Sequence, residues 1–248
     1  RALKKHRADF DCEIVAFPQH GLLLSKVDKL MREAMSMGVA YVGGLDPTNV
    51  DARLNLAGTL ESAGRASEAV VEYRAAYEAA PKREDVVLGL AGILERTHDL
   101  ATAEALYQGL LSTAGGVAPT AGAHAAAGRY YARRGRLDLA RAEGDVLSAM
   151  DPQNPATYYL QGVGMLADGK LNDAMKLLKM AVALDPQAQY NDTIGLVAEK
   201  MGALGEAQIA YEQAIRLDPG YAPPMIGLGR IHVIRRQFGN ALPVLERE

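Results

Sequence analysis

The sequence predicts an all-α protein that consists of stacked helical hairpins. Alanine recurs through most of the 248 residues in steps of 34, 37, 34, 33 and 34 residues. A repeat in the mid-thirties is typical of helix-turn-helix arrays, in which each hairpin buries its apolar face against the next. The recurring alanines are Ala69, Ala103, Ala140, Ala174, Ala207 and Ala241.

Glycines and Asp-Pro pairs punctuate the array at the same interval. A glycine with a left-handed backbone caps a helix without steric cost, so one group of glycines predicts the turn inside each hairpin. Proline cannot continue a helix, so each Asp-Pro pair predicts the end of a second helix. The glycines are Gly64, Gly135, Gly169 and Gly202, and the pairs are Asp151-Pro152, Asp185-Pro186 and Asp218-Pro219.

The hairpins fall into five full repeats and a partial sixth. Counted from the first residue of each repeat, position 8 is Ala or Gly, position 20 is Ala, and position 24 often carries a larger side chain. The segment 113–120 adds three residues and predicts a soft joint between repeats two and three. The repeats are 50–83, 84–117, 121–154, 155–187, 188–221 and 222–248.

This pattern resembles the tetratricopeptide repeat over residues 46–248. The resemblance implies a right-handed α-solenoid in which positions 8 and 20 are the contacts between paired helices. It also implies that positions 2, 5, 9 and 12 of each first helix face a concave groove. Such an array works through a long exposed surface rather than a catalytic pocket.

Those positions give a candidate groove that is apolar with arginines at its borders. Tyr159, Val163 and Leu196 are the expected apolar anchors for a peptide, and Arg129 and Arg230 are expected to orient acidic groups. An alternative is that all of these are ordinary packing and solvated positions. The partner-binding residues predicted are Arg129, Tyr159, Val163, Leu166, Leu196, Glu199, Ile226 and Arg230.

The first 45 residues do not follow the repeat. Segments 13–17 and 38–44 are apolar and predict two strands, with a helix at about 26–37 between them. A strand-helix-strand order predicts a parallel crossover unit. This βαβ-like segment is expected to be poorly ordered or to cap the first repeat.

Residues 10–47 resemble a fragment of a cytosine deaminase-type amidohydrolase. The run from Val15 to Gly21 is similar to a Phe-Pro-Gln-x-Gly strand end of that family, which makes Gln19 a relic of a substrate contact. The family holds its metal with a His-x-His pair, and none of the five histidines forms one. The sequence therefore predicts no metal, no cofactor, no catalytic residue and no enzyme activity.

The composition argues against nucleic-acid binding and membrane spanning, so the expected partners are proteins or peptides. The net charge is −3, so there is no basic excess for a nucleic acid. No apolar run is long enough for a membrane span. Cys12 is the single cysteine, so no disulfide forms within the chain. A cytoplasmic or bacterial envelope location fits this composition equally.

The predicted function is a protein-interaction scaffold that binds a peptide or a partner domain in its concave groove. One alternative is a fragment of a metal-dependent deaminase fused to the repeats. Another is a self-associating structural array, because the sixth repeat lacks a polar capping helix and leaves an apolar face.

Overall fold

The computed structural model describes residues 15–16, 41–42, 49–113 and 118–237, and eleven α-helices account for most of them. The prediction of an all-α array of helical hairpins is confirmed. The elements are β1 (Val15–Ala16), β2 (Tyr41–Val42), α1 (Val50–Ser62), α2 (Ala66–Ala79), α3 (Glu84–Arg96), α4 (Leu100–Leu110), α5 (Ala121–Arg133), α6 (Leu137–Met150), α7 (Pro155–Ala167), α8 (Leu171–Leu184), α9 (Ala188–Lys200), α10 (Leu204–Leu217) and α11 (Pro223–Ile234).

The chain divides into two compact units, Arg1–Leu110 and Leu111–Glu248. The first contains the helices of repeats one and two, and the second contains those of the remaining repeats. The division falls next to the segment 113–120, which the sequence predicts to be a soft joint. Odd-numbered helices are the first helices of the hairpins, and even-numbered ones are the second helices.

The two strands pair in parallel, with Val15 opposite Tyr41 and Ala16 opposite Val42. They lie within the two segments predicted as strands. The helix predicted at about 26–37, the domain boundary at 45 and Gln19 all lie outside the described residues.

Each first helix of the described hairpins ends at a residue in the left-handed conformation. At position 15, Gly64, Gly135, Gly169 and Gly202 have φ values between 70° and 76°. The glycine turn prediction is therefore confirmed in four repeats. Repeats two and six place His98 (φ 63°) and Arg236 (φ 59°) there instead. A side chain at such a φ costs about 1–2 kcal/mol. These two turns therefore have the same left-handed geometry as the glycine turns, but they are strained.

Second helices end where the sequence predicts. The Asp of each Asp-Pro pair is the residue that follows the last helical one, as at Asp151, Asp185 and Asp218. First helices begin with polar caps in three repeats. The side chains of Asn49, Thr120 and Asn154 accept hydrogen bonds from backbone N–H groups of the first turn, which otherwise lack partners.

The core of each unit lies between the paired helices. The alanine at position 20 is fully buried in each of the five full repeats, from Ala69 to Ala207. At position 24 the side-chain volume is matched to position 6 of the next repeat. Tyr73 packs against Gly89, and Tyr211 packs against Gly227, where an added Cβ would lie 2.5 Å from the ring in both cases.

Repeat three exchanges these volumes. Gly144 occupies position 24, and Leu160 occupies position 6 of the next repeat. A Cβ on Gly144 would lie 2.7 Å from the Cβ of Leu160. Protein interiors are packed as closely as crystals. A large side chain therefore occupies position 24 of one repeat or position 6 of the next, but not both.

Candidate binding surface

The predicted groove residues of the second unit lie on its first helices, α5, α7, α9 and α11. Consecutive first helices contact each other directly. Arg129 lies on α5, Tyr159, Val163 and Leu166 on α7, Leu196 and Glu199 on α9, and Ile226 and Arg230 on α11.

Tyr159 and Val163 are buried, with 2% of each residue exposed. The Tyr159 ring stacks on that of Tyr190, with centroids 4.5 Å apart and planes 22° apart. Burial raises the pKa of Tyr159 to about 12. An anchor for a partner needs exposed area, whereas these two side chains pack inside the array.

The side chain of Gln189 helps to bury Tyr159. Its side-chain Nε2 donates to the Tyr159 hydroxyl at 2.8 Å and to the Arg129 backbone carbonyl at 2.9 Å. Its Oε1 accepts from Arg133 Nη1 at 2.7 Å. One amide thus links the first helices of repeats three, four and five. The space around the Tyr159 side chain is therefore occupied by the chain's own side chains.

The first helices of repeats five and six are joined by a bidentate ion pair. Arg230 Nε donates to Glu199 Oε1 at 2.5 Å, and Arg230 Nη2 donates to Glu199 Oε2 at 2.7 Å. The Tyr211 hydroxyl, on the second helix between them, donates to Glu199 Oε2 at 3.0 Å. These donors, Arg230 first, lower the pKa of Glu199. The pair holds α9 and α11 in a fixed register.

Within one turn of this pair on either side, exposed apolar side chains face solvent on the same two helices. Leu196 is 37% exposed, Ile226 is 46% exposed and Val233 is 47% exposed. Residues three or four apart share a helix face. Leu196 lies three residues before Glu199, and Ile226 and Val233 flank Arg230 on α11.

Asp192 completes this face one turn before Leu196. The Tyr221 hydroxyl donates to Asp192 Oδ2 at 3.4 Å. Burial raises the pKa of Asp192 to about 6. We call the resulting patch the α9–α11 face. It comprises Asp192, Leu196, Glu199, Ile226, Arg230 and Val233.

The predicted set of partner-binding residues includes four of these six residues and omits Asp192 and Val233. Asp192 occupies position 5 of repeat five and Val233 position 12 of repeat six, both among the positions expected to face the groove. The same rule gives Gln189 at position 2. The positional rule therefore identifies Asp192, Val233 and Gln189 as residues that face the groove. The remaining predicted residues, Leu166 and Arg129, are half-buried.

Within residues 49–113 and 118–237, no group of three His, Cys, Asp or Glu side chains is placed to hold a metal ion. None of the described helices combines the length and apolar character needed to cross a bilayer.

Comparison with known sequences places one repeat in a family. Residues 188–221, which are repeat five, match the tetratricopeptide repeat. The chain is 71% identical over 49 residues to YahJ, an uncharacterised protein of Escherichia coli K12, which is 20% of this chain and 11% of YahJ. It is 31% identical over 91 residues to human tetratricopeptide repeat protein 6, which is 37% of this chain and 18% of that protein. The chain thus spans less than a fifth of either relative.

Solved structures show the same fold at low sequence identity. A chain of the APC/C hetero-tetramer Cut9–Hcn1 aligns with 90% of this chain and 42% of its own, with a TM-score of 0.61 and 16% identity. A tetratricopeptide repeat protein of Parabacteroides merdae covers 89% of this chain and 83% of its own, with a TM-score of 0.60 and 15% identity. The tetratricopeptide fold that the sequence predicts is confirmed. The proposed relation to amidohydrolases stays a prediction.

Proposed function

We propose that the protein is an interaction scaffold that binds a peptide segment of a partner protein on the α9–α11 face. The observation that carries the proposal is the exposure of Leu196, Ile226 and Val233 on two helices whose register is fixed by the Glu199–Arg230 pair. Exposed apolar side chains rimmed by charge are typical of a groove for an extended or helical peptide.

A preformed face suits this role because its charged side chains are already held in place before the partner binds. Arg230 and Glu199 already hold each other through two hydrogen bonds, and Tyr211 supports the carboxylate from α10. Preorganisation lowers the entropic cost of association. The face therefore offers its apolar area to a partner without first having to assemble.

The test is affinity capture with two purified variants beside the unmodified chain. Leu196→Asp with Ile226→Asp places two charges on the face, and we expect it to lose the bound proteins. Ile209→Asp is the matched control, because Ile209 is 57% exposed on the second helix α10 and lies outside the face. Binding that survives the double substitution, or that is lost equally in the control, would contradict the proposed surface.

The two alternatives drawn from the sequence stay predictions. Deaminase activity of a larger hydrolase is checked by assaying bound zinc or iron and cytosine turnover. Self-association through repeat six is checked by light scattering at two concentrations. No feature of residues 49–113 and 118–237 favours either over the peptide scaffold.

A further inference from the structure

The α9–α11 face carries one carboxylate that no cation neutralises. Among the described residues, the hydrogen-bond partner of Asp192 is the Tyr221 hydroxyl, and Asp192 forms no ion pair. The cation that acts on it is Arg230, whose guanidinium is held by both oxygens of Glu199. The three charged groups of the face therefore sum to one negative charge, at Asp192.

The position of Asp192 is costly for folding. The carboxylate is half-buried, and it lies next to the tyrosine hydroxyl rather than next to an ammonium or guanidinium group. A charged group taken from water without a cationic partner is destabilising. A carboxylate kept in such an environment is a candidate for a functional group.

The neighbours of Asp192 define what fits beside it. Leu196 lies one turn further along α9, and Ile226 lies on α11 between the Tyr221–Asp192 and Arg230–Glu199 links. From Asp192 to Glu199 the helix rises by about 10 Å. That length matches about three residues of extended peptide.

We propose that Asp192 pairs with a lysine or arginine side chain of the bound peptide, whose neighbouring aliphatic side chains contact Leu196 and Ile226. This inference rests on the proposed function. A charge-assisted hydrogen bond to a carboxylate is about twice as strong as a neutral one. The methylene stem of lysine or arginine also covers apolar surface while its head stays polar.

The experiment is selection of phage-displayed random dodecapeptides on the purified chain, followed by affinity measurements on synthetic peptides. We expect the recovered peptides to share a Lys or Arg within about three residues of Leu, Ile or Val. Fluorescence anisotropy then gives the affinity of one recovered peptide and of the same peptide with its basic residue replaced by norleucine or glutamine.

The decisive comparison is a double-mutant cycle between the peptide and Asp192→Asn. We expect Asp192→Asn to weaken the basic peptide about tenfold, and to leave the norleucine or glutamine peptide nearly unchanged. Asn has the same shape as Asp, and a circular-dichroism spectrum identical to that of the unmodified chain shows that the variant is folded. Equal affinities of Asp192→Asn and the unmodified chain for the basic peptide would overturn the pairing.

The two proposals fail in different ways. If Leu196→Asp leaves peptide recovery unchanged, or if no peptide is recovered, the α9–α11 face is not a peptide site and both proposals are wrong. If the recovered peptides depend on Leu196 but lack a basic residue, the surface stands and the role of Asp192 is wrong. Ile209→Asp again serves as the control for an unrelated exposed position.

Discussion

The hydroxyl of Tyr211 donates a hydrogen bond to Glu199, twelve residues earlier in the chain, across the hairpin of repeat five. The same pair joins Tyr73 to Glu61 at 3.0 Å in repeat one and Tyr107 to Glu95 at 2.7 Å in repeat two. Repeats three and four have neither partner, with Ala132 and Leu166 at position 12 and Gly144 and Leu178 at position 24. Glu at position 12 and Tyr at position 24 are thus present or absent together.

This pairing predicts the effect of Tyr211→Phe. The variant keeps the ring against Gly227 and removes the hydroxyl, so it loses the bond to Glu199. We expect the free energy of unfolding to fall by about 1.5–3 kcal/mol, as for a bond to a charged acceptor. Urea denaturation measures this. Tyr158→Phe is the control, since Tyr158 is half-buried on α7, and an equal loss in the control would contradict the assignment.

A second prediction concerns Gly144→Ala in α6. The new Cβ would lie 2.7 Å from the Cβ of Leu160, so the helices must separate or Leu160 must shift. We expect a loss of about 1–3 kcal/mol in the free energy of unfolding. Gly92→Ala is the matched substitution, because a Cβ there meets nothing within 4 Å. It should instead stabilise α3 by about 0.5–1 kcal/mol, and a gain from both would contradict the packing argument.

The strained turn of repeat two gives a third prediction. His98 has a φ of 63° at the position that glycine occupies in four other repeats. We expect His98→Gly to raise the free energy of unfolding by about 0.5–1 kcal/mol, because glycine adopts this conformation without strain. Gly169→Ala, where φ is 73°, should lower it by a similar amount. Thermal denaturation of both variants checks the opposite signs.

The fourth prediction follows from the pKa of Asp192, which is 3.8 ordinarily and about 6 in the folded chain. Between these values the folded state binds more protons than the unfolded state, so this group makes the free energy of unfolding fall as pH rises. The loss is complete above about pH 6 and amounts to at most about 3 kcal/mol.

Asp192→Asn removes this titration. We expect the variant to gain stability relative to the unmodified chain between about pH 4 and about pH 7.5, since the other carboxylates are common to both and their effects cancel. Urea denaturation at the two pH values measures the difference. A difference that does not change with pH would show that Asp192 titrates normally.

The left-handed turns and the helix ends could be predicted from sequence because each depends on the backbone. Proline at the end of α8 and glycine at position 15 act through local conformation, whatever the neighbouring repeats do. His98 and Arg236 could not be predicted as turn residues because the turn prediction depends on glycine itself. The hairpin geometry imposes the left-handed conformation even on a residue that disfavours it.

Exposure within the groove could not be predicted in the same way. The spacing rule states which face of a helix a residue occupies, but it does not state how closely successive first helices approach. Tyr159 lies on the expected face and is nevertheless covered, because Tyr190 stacks on it and Gln189 reaches over it from repeat five. The Gln189 side chain bonds a backbone carbonyl 60 residues earlier, a contact with no local signature.

The reach of Gln189 also bears on how the second unit comes apart. In a linear array each repeat, or module, contacts only its immediate neighbours. Unfolding therefore proceeds from an end, one module at a time. The amide of Gln189 adds a coupling between modules that are two places apart. Fraying that begins at α11 should therefore pause at repeat five, and the three modules that this amide connects should melt in a single cooperative step.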